Sequence, residues 1–250
     1  MISATKALVK EALTQPSHDE PQITHDSRFT TRGIQLAAGS QKIFCKALIR
    51  SNICGSVEPR IVTKIKVVLT QFAVQALNRS TPTNADIWRG IRHTDLPKNT
   101  RNFLWKALHN GFKIGDHWCN IPNFEHRQRC ALCGETETME HILFECENSP
   151  SRKVIWPLAE KLGRLRESSW LEVQMGTVLG APLIKFKGRN GKPQQGRSRL
   201  LAILLTESAY LIWKLRCEWV ITRSADESKL HLATEIHNKW LSIMRDTIDY

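Results

Sequence analysis

Residues 130–146 constrain this chain more than any other stretch. They read Cys-Ala-Leu-Cys-Gly-Glu-Thr-Glu-Thr-Met-Glu-His-Ile-Leu-Phe-Glu-Cys, which sets four metal-ligating side chains at the spacing C-x2-C-x7-H-x4-C. Two thiolates separated by two residues reach one ion across a single turn. Gly134, just after the turn, supplies the left-handed backbone such a turn uses. Residues 138–145 read as helical, so His141 projects from a helix and Cys146 from its end. Three sulfurs and one imidazole select zinc over magnesium or calcium. The motif predicts one structural zinc ion held by Cys130, Cys133, His141 and Cys146. A redox Cys-x-x-Cys, or a chance grouping of reduced side chains, is the alternative. Four protein ligands close a tetrahedron and leave no position for an activated water, unlike a catalytic zinc.

Ahead of the motif lies a Trp-containing helical segment, Asn102-Phe103-Leu104-Trp105-Lys106, and inside it the run Glu140-His141-Ile142-Leu143-Phe144-Glu145-Cys146. With the Cys-x-x-Cys-Gly turn, these resemble the zinc-binding segments that follow reverse transcriptase and ribonuclease H domains in non-LTR retrotransposons. The segments 87–93, 206–218 and 235–241 are similar to parts of fungal elements of that kind. The resemblance covers roughly residues 65–245. It implies that polymerase and ribonuclease H domains stand upstream in a full element, as neighbours or partners of this region. Those activities would then belong to the element rather than to this chain.

The charge balance points the same way. Thirty-six Lys and Arg against 24 Asp and Glu give a net charge of +12, which favours an anionic partner, RNA or DNA first. Seven cysteines, four of them scattered at Cys45, Cys54, Cys119 and Cys217, do not form a secreted disulfide framework. No apolar run is long enough to span a membrane, and no leader pattern opens the chain. The expectation is a protein of the nucleus or cytoplasm without a membrane partner.

Hydrophobic spacing predicts a mainly α fold: an irregular helical bundle with an embedded CCHC knuckle and a C-terminal antiparallel helix pair. Residues 1–56 form a poorly defined N-terminal region, 57–166 a helical zinc-binding module, 167–199 a basic linker or loop, and 200–250 the helix pair. Within the module, Ile61, Ile65, Val68, Leu69, Phe72, Ala76 and Leu77 repeat at helical spacing over 57–78. Asp86 helps to start the next helix, Phe103, Leu104, Ala107 and Leu108 mark the buried side of 100–110, and 151–165 folds back on that helix. Residues 170–179 read as helix or extended. Residues 197–222 form the central helix, and 226–249 the closing one.

Two basic surfaces are candidates for nucleic-acid contact. One is Arg89, Arg92, Lys98, Arg101 and Lys106, with only Asp95 opposing. The other is the acid-free run containing Lys185, Lys187, Arg189 and Lys192, which Gly188, Gly191 and Gly196 keep loop-like. The knuckle itself is acidic, with Glu135, Glu137, Glu140, Glu145 and Glu147, so its tip is not expected to touch phosphate. Trp88, Trp105 and Trp118 are expected to pack as a cover over the knuckle rather than to stack on bases. Glu207, inside the central helix, needs a partner, for which Arg216, Lys214 and the Trp240 indole are the candidates. The expected function is a non-catalytic, zinc-stabilised nucleic-acid-binding module. The alternatives are a helical protein-interaction scaffold and a metal-dependent nuclease built on His237-Asn238.

Overall fold

The computed structural model describes residues 60–165, 170–188 and 190–248, together with Ser40, Gln41 and Ile43. Arg189 and almost all of the predicted N-terminal region lie outside the described residues. The chain divides into two compact units, Met1–Val57 and Glu58–Tyr250, and the elements that follow belong to the second. That unit is mainly α-helical. Among the described residues it holds no strand, only the isolated bridges Arg129·Thr136 and Lys187·Pro193.

Helix α1, Ile61–Asn78, forms where the spacing predicts, but it is turned the other way. Its buried residues are Thr63, Lys66, Val67, Thr70 and Val74. Ile61, Ile65, Val68, Leu69, Phe72 and Leu77 are all exposed, Ile61 by 75% and Phe72 by 65%. The reason is a close helix crossing. Residues Met175–Gly180 form a short, wholly buried helix, here α5, against the small side of α1. A Cβ on Gly176 would stand 2.6 Å from the Leu69 carbonyl oxygen, and one on Gly180 would stand 2.5 Å from Val74 Cγ2. Threonines and glycines allow that approach, and a stripe of Ile and Phe does not.

Helix α2, Asn84–Ile91, opens on a capping box in which Thr83 and Asp86 satisfy each other's backbone amides. Helix α3, Lys98–Leu108, buries Phe103, Leu104, Ala107 and Leu108 as its spacing requires. Helix α4, Pro150–Arg164, starts at a Ser149 cap with Pro150 in the first turn. It packs chiefly on the central and closing helices rather than on α3. Gly163 near its end lies directly under Trp170, whose ring would stand 2.0 Å from an added Cβ.

The central helix α6, Gln195–Cys217, is buried without a break from Leu201 to Ala209. That run has no polar side facing water, as befits a helix surrounded by others. Its C-terminus widens into a π-turn, Glu218–Thr222. The closing helix α7, Ala233–Ile248, is shorter than the spacing predicts, because a 3-10 turn at Glu227–Lys229 precedes it and Leu232 is 70% exposed. Arg199 near the start of α6 donates to the Thr247 and Ile248 carbonyls, and the Trp240 indole donates to Ser208 Oγ at 2.9 Å.

Candidate metal centre

The knuckle is built by three local devices. Cys130 N donates to the Glu135 carbonyl at 2.7 Å and Gly134 N to the Cys130 carbonyl at 2.8 Å, which closes the Cys-x-x-Cys turn. Gly134 has φ +78° and open space where a Cβ would go, so it is needed for its backbone and not for room. Thr138 Oγ1 accepts from His141 N at 3.0 Å and starts a helical turn. That turn is π-type over His141–Glu145, with Cys146 N donating to the His141 carbonyl at 2.9 Å. The wider turn brings Cys146 back beside His141.

All four ligand atoms lie within 4.8 Å of one another. Cys130 Sγ is 3.8 Å from Cys146 Sγ, Cys133 Sγ is 4.0 Å from Cys146 Sγ, and Cys133 Sγ is 3.2 Å from His141 Nε2. A tetrahedral zinc with Zn–S bonds of about 2.3 Å holds its sulfurs about 3.8 Å apart. The sulfur spacing therefore fits one zinc ion. Cys130, His141 and Cys146 are buried, and Cys133 faces solvent. Burial, with a neighbouring thiol adding to it, would push the Cys130 thiol up to about 12 in the metal-free cluster and raise Cys146 as well. A dication reverses that preference and holds both as thiolates.

The cover over the ligands is not the one expected. A small cavity beside Cys130, His141 and Cys146 is walled by Leu215, Arg216, Trp219 and His231, from the end of α6 and the segment after it. Trp219 is 4% exposed. Trp88 and Trp105 instead form a ring cluster with His109 on α2 and α3, and Trp105 is 45% exposed. Trp118, half-buried, lies tilted at 41° to Phe124 with ring centroids 5.9 Å apart. The sequence signal for Trp219 was its place one turn beyond Leu215 on a helix already predicted.

Two of the five knuckle acids turn inward. Glu137, 3% exposed, is gripped by Arg216, whose Nε donates to Oε1 at 2.8 Å and whose second nitrogen donates to Oε2. Glu140 meets the buried Lys66 ammonium at 3.3 Å, which also donates to the Ala107 carbonyl. Of its expected partners, Glu207 has Lys214, which acts on it through charge. Arg216 goes to Glu137 and Trp240 to Ser208, while Thr100 Oγ1 donates to Glu207 Oε1 at 2.6 Å.

A second group, Glu218, His231 and Glu235, also has metal-ligand character. Its cations are already in place. Arg223 and Lys239 each lie about 3 Å from both carboxylates, and His231 Nδ1 lies 3.0 Å from Glu235. Burial raises Glu235, but hydrogen bonds from Lys239, His231 and Arg223 outweigh it and bring the carboxyl down to about 2. The group is an ion-pair clasp between the π-turn and α7. His237 belongs to neither metal-ligating group found among the described residues.

Of the predicted nucleic-acid residues, Arg89, Arg92, Lys98 and Lys106 are exposed and Arg101 is half-buried. Asp86 pairs with Arg89 at 2.9 Å, so Asp95, which faces His93, is not the only opposing acid. Lys185, Lys187 and Lys192 are exposed, and Arg189 lies outside the described residues. A cleft of about 500 Å³ is lined by His93 and Asp95 from the α2–α3 connection, Lys185, Phe186 and Lys187 from the loop, and Arg199 from α6. None of Arg89, Arg92, Lys98, Arg101 and Lys106 lines this cleft, which the second basic segment borders. Helix α6 begins at Gln195, two residues ahead of the position 197 expected from sequence, so Gln195 and Gly196 leave the predicted loop.

Residues 70–156 match a protein family described as zinc-binding in reverse transcriptase. That span contains α2, α3 and all four ligands, and with the cluster geometry it fits a reverse-transcriptase zinc-binding region. No curated protein and no solved structure matches the chain. Among the described residues no helix is long and apolar enough to cross a membrane.

Proposed function

We propose that the unit Glu58–Tyr250 is a non-catalytic, zinc-stabilised nucleic-acid-binding module that stands beside reverse transcriptase and ribonuclease H domains in a retrotransposon protein. The observation that carries the binding is the cleft in which Lys185, Lys187 and Arg199 converge with His93. A groove with three cations and one carboxylate already facing its own histidine suits a phosphodiester backbone. The family match and the sequence resemblance support the neighbourhood of a polymerase. The zinc ion's part is to hold the fold, since its four ligands come from the chain and the knuckle's exposed acids repel phosphate.

Binding to labelled RNA and DNA across a salt series tests this. The parent chain should lose affinity steeply as salt rises. The Lys185→Ala/Lys187→Ala pair should weaken both nucleic acids and flatten the log–log slope by roughly 1.5. Affinity that ignores salt would remove the proposal. The second reading, a protein-interaction scaffold, is favoured by the exposed apolar stripe Ile61, Ile65, Val68, Leu69 and Phe72. It predicts capture of a protein partner through α1 with no affinity for RNA or DNA.

A further inference from the structure

We propose that Trp118, Phe124 and Arg127 form a stacking platform for unpaired bases, and that the zinc knuckle holds it in position. The inference rests on the nucleic-acid reading and adds to it a second site, distinct from the lysine cleft, with a preference for single strands.

The three groups are planar and already assembled, with Trp118 half-buried and Phe124 and Arg127 exposed. The Arg127 guanidinium lies over both rings, 4.8 Å from the Phe124 centroid and 5.2 Å from that of Trp118, and the two rings are 5.9 Å apart. His126 continues the stack on Phe124 at 6.5 Å. Phe124 is 40% exposed, and Arg127 and His126 are exposed, so this is not core packing. An aromatic face with a cation across it offers a base both a π-surface and a charge for the adjoining phosphate. Lys113 and Arg129 are exposed in the same segment. Of the two acids there, Asp116 accepts from Gln128 Nε2 at 3.1 Å, and Glu125 is exposed.

The backbone under the platform is fixed by the knuckle. Trp118 follows the 3-10 turn Gly115–His117, and Arg127 sits in the 3-10 turn Glu125–Gln128. Both turns rest on the extended segment that carries Thr136 and Glu137. Glu137 N donates to the Gln128 carbonyl at 2.9 Å, and Arg129 bridges to Thr136. Gly115, at φ +52°, comes so close that a Cβ would stand 2.6 Å from the Glu137 carbonyl oxygen. The Trp118 indole is in turn tied to the Lys113 carbonyl at 2.8 Å. With Cys130 and Cys146 holding a zinc ion, this backbone would be fixed before any nucleic acid arrives. This gives the acidic knuckle a part in binding that does not require its own surface to touch phosphate.

The test compares a labelled oligouridine with a blunt RNA duplex of equal length, using the zinc-loaded full chain. Phe124→Ala should weaken oligouridine binding about tenfold. It should leave the duplex within about twofold and the salt slope unchanged, because stacking releases no counterion. Arg127→Ala should also weaken the single strand, and Phe124→Trp should restore it. Zinc content and melting temperature of these surface variants should match the parent. Equal losses on both nucleic acids, or no loss on the single strand while Lys185→Ala/Lys187→Ala still weakens binding, would overturn the platform and leave the cleft standing. A parent chain that binds neither nucleic acid would overturn both.

Discussion

Glu207 is the side chain whose placement asks most of its surroundings. It is 4% exposed in the middle of α6, and Thr100 Oγ1 donates to it. Burial raises its pKa above the ordinary value of 4.5, while the Thr100 hydrogen bond and the charge of Lys214 pull it partly back. A carboxyl whose folded pKa lies above its unfolded one binds its proton more tightly when folded. Its contribution to stability is thus fully present below pH 4.5 and is lost as pH rises through the folded value. Glu207→Gln keeps an oxygen for Thr100 and removes the buried charge. Thermal melts should show the variant more stable at pH 8, by roughly 2 °C or more, with the gain shrinking to nothing near pH 4. A lower melting temperature at pH 8 would mean that the carboxylate charge itself holds the helix in place. The same kind of group behaves oppositely at Glu235, where three donors outweigh burial, so the partners decide the sign.

At the scale of elements, the decisive join is between the knuckle and the central helix. Glu137 and Arg216 meet across 79 residues with both side chains largely withdrawn from water. For Arg216, burial favours the neutral form, but the Glu137 hydrogen bond and charge outweigh it and raise the pKa. Removing one partner leaves the other charge buried and alone, at a cost of about 3–5 kcal/mol. Arg216→Met alone and Glu137→Met alone should each lower the denaturation midpoint sharply. The double variant should recover most of the loss, since two apolar side chains of similar length fill the site without a charge. Additive losses in the double variant would instead show that the two residues act separately. The same join explains what could and could not be read from the chain. The four ligands were legible because their geometry is set within 17 residues and one turn. Arg216 as the partner of Glu137 was not, because nothing local links them. The α1 stripe shows a subtler limit. Its period gave the helix correctly, but the buried side was decided by Gly176 and Gly180, about a hundred residues away, which bring Leu69's carbonyl, Thr70 and Val74 into close contact. Trp105 and Trp219 exchange roles for a similar reason, since α6 runs on far enough to place Trp219 over the ligands.

On the scale of the whole unit, the knuckle is a fastener between helices that otherwise have separate reasons to fold. Lys66 ties it to α1 and Arg216 to α6, while the Trp156 indole of α4 donates to the Leu143 carbonyl at 2.7 Å and Arg152 to the Cys146 carbonyl at 3.0 Å. Three helices therefore meet on a segment whose own apolar residues are few. Met139, Ile142 and Leu143 are buried, but between them run ligands and acids that only a cation can reconcile with burial. The purified chain should carry one zinc ion. Stripping it with a strong chelator should lower the melting temperature and remove much of the helical circular dichroism in the same step, and returning zinc should restore both. Cys130→Ser and His141→Ala should behave like the stripped chain. Loss of zinc with the helical signal and its melting temperature intact would mean that α1, α4 and α6 hold one another without the knuckle. The metal would then fix only the local segment around the knuckle and the surface it carries. With the fastener reading, nucleic-acid affinity should fall with chelation even for a duplex, because the cleft at Lys185 and Lys187 is floored by the same central helix.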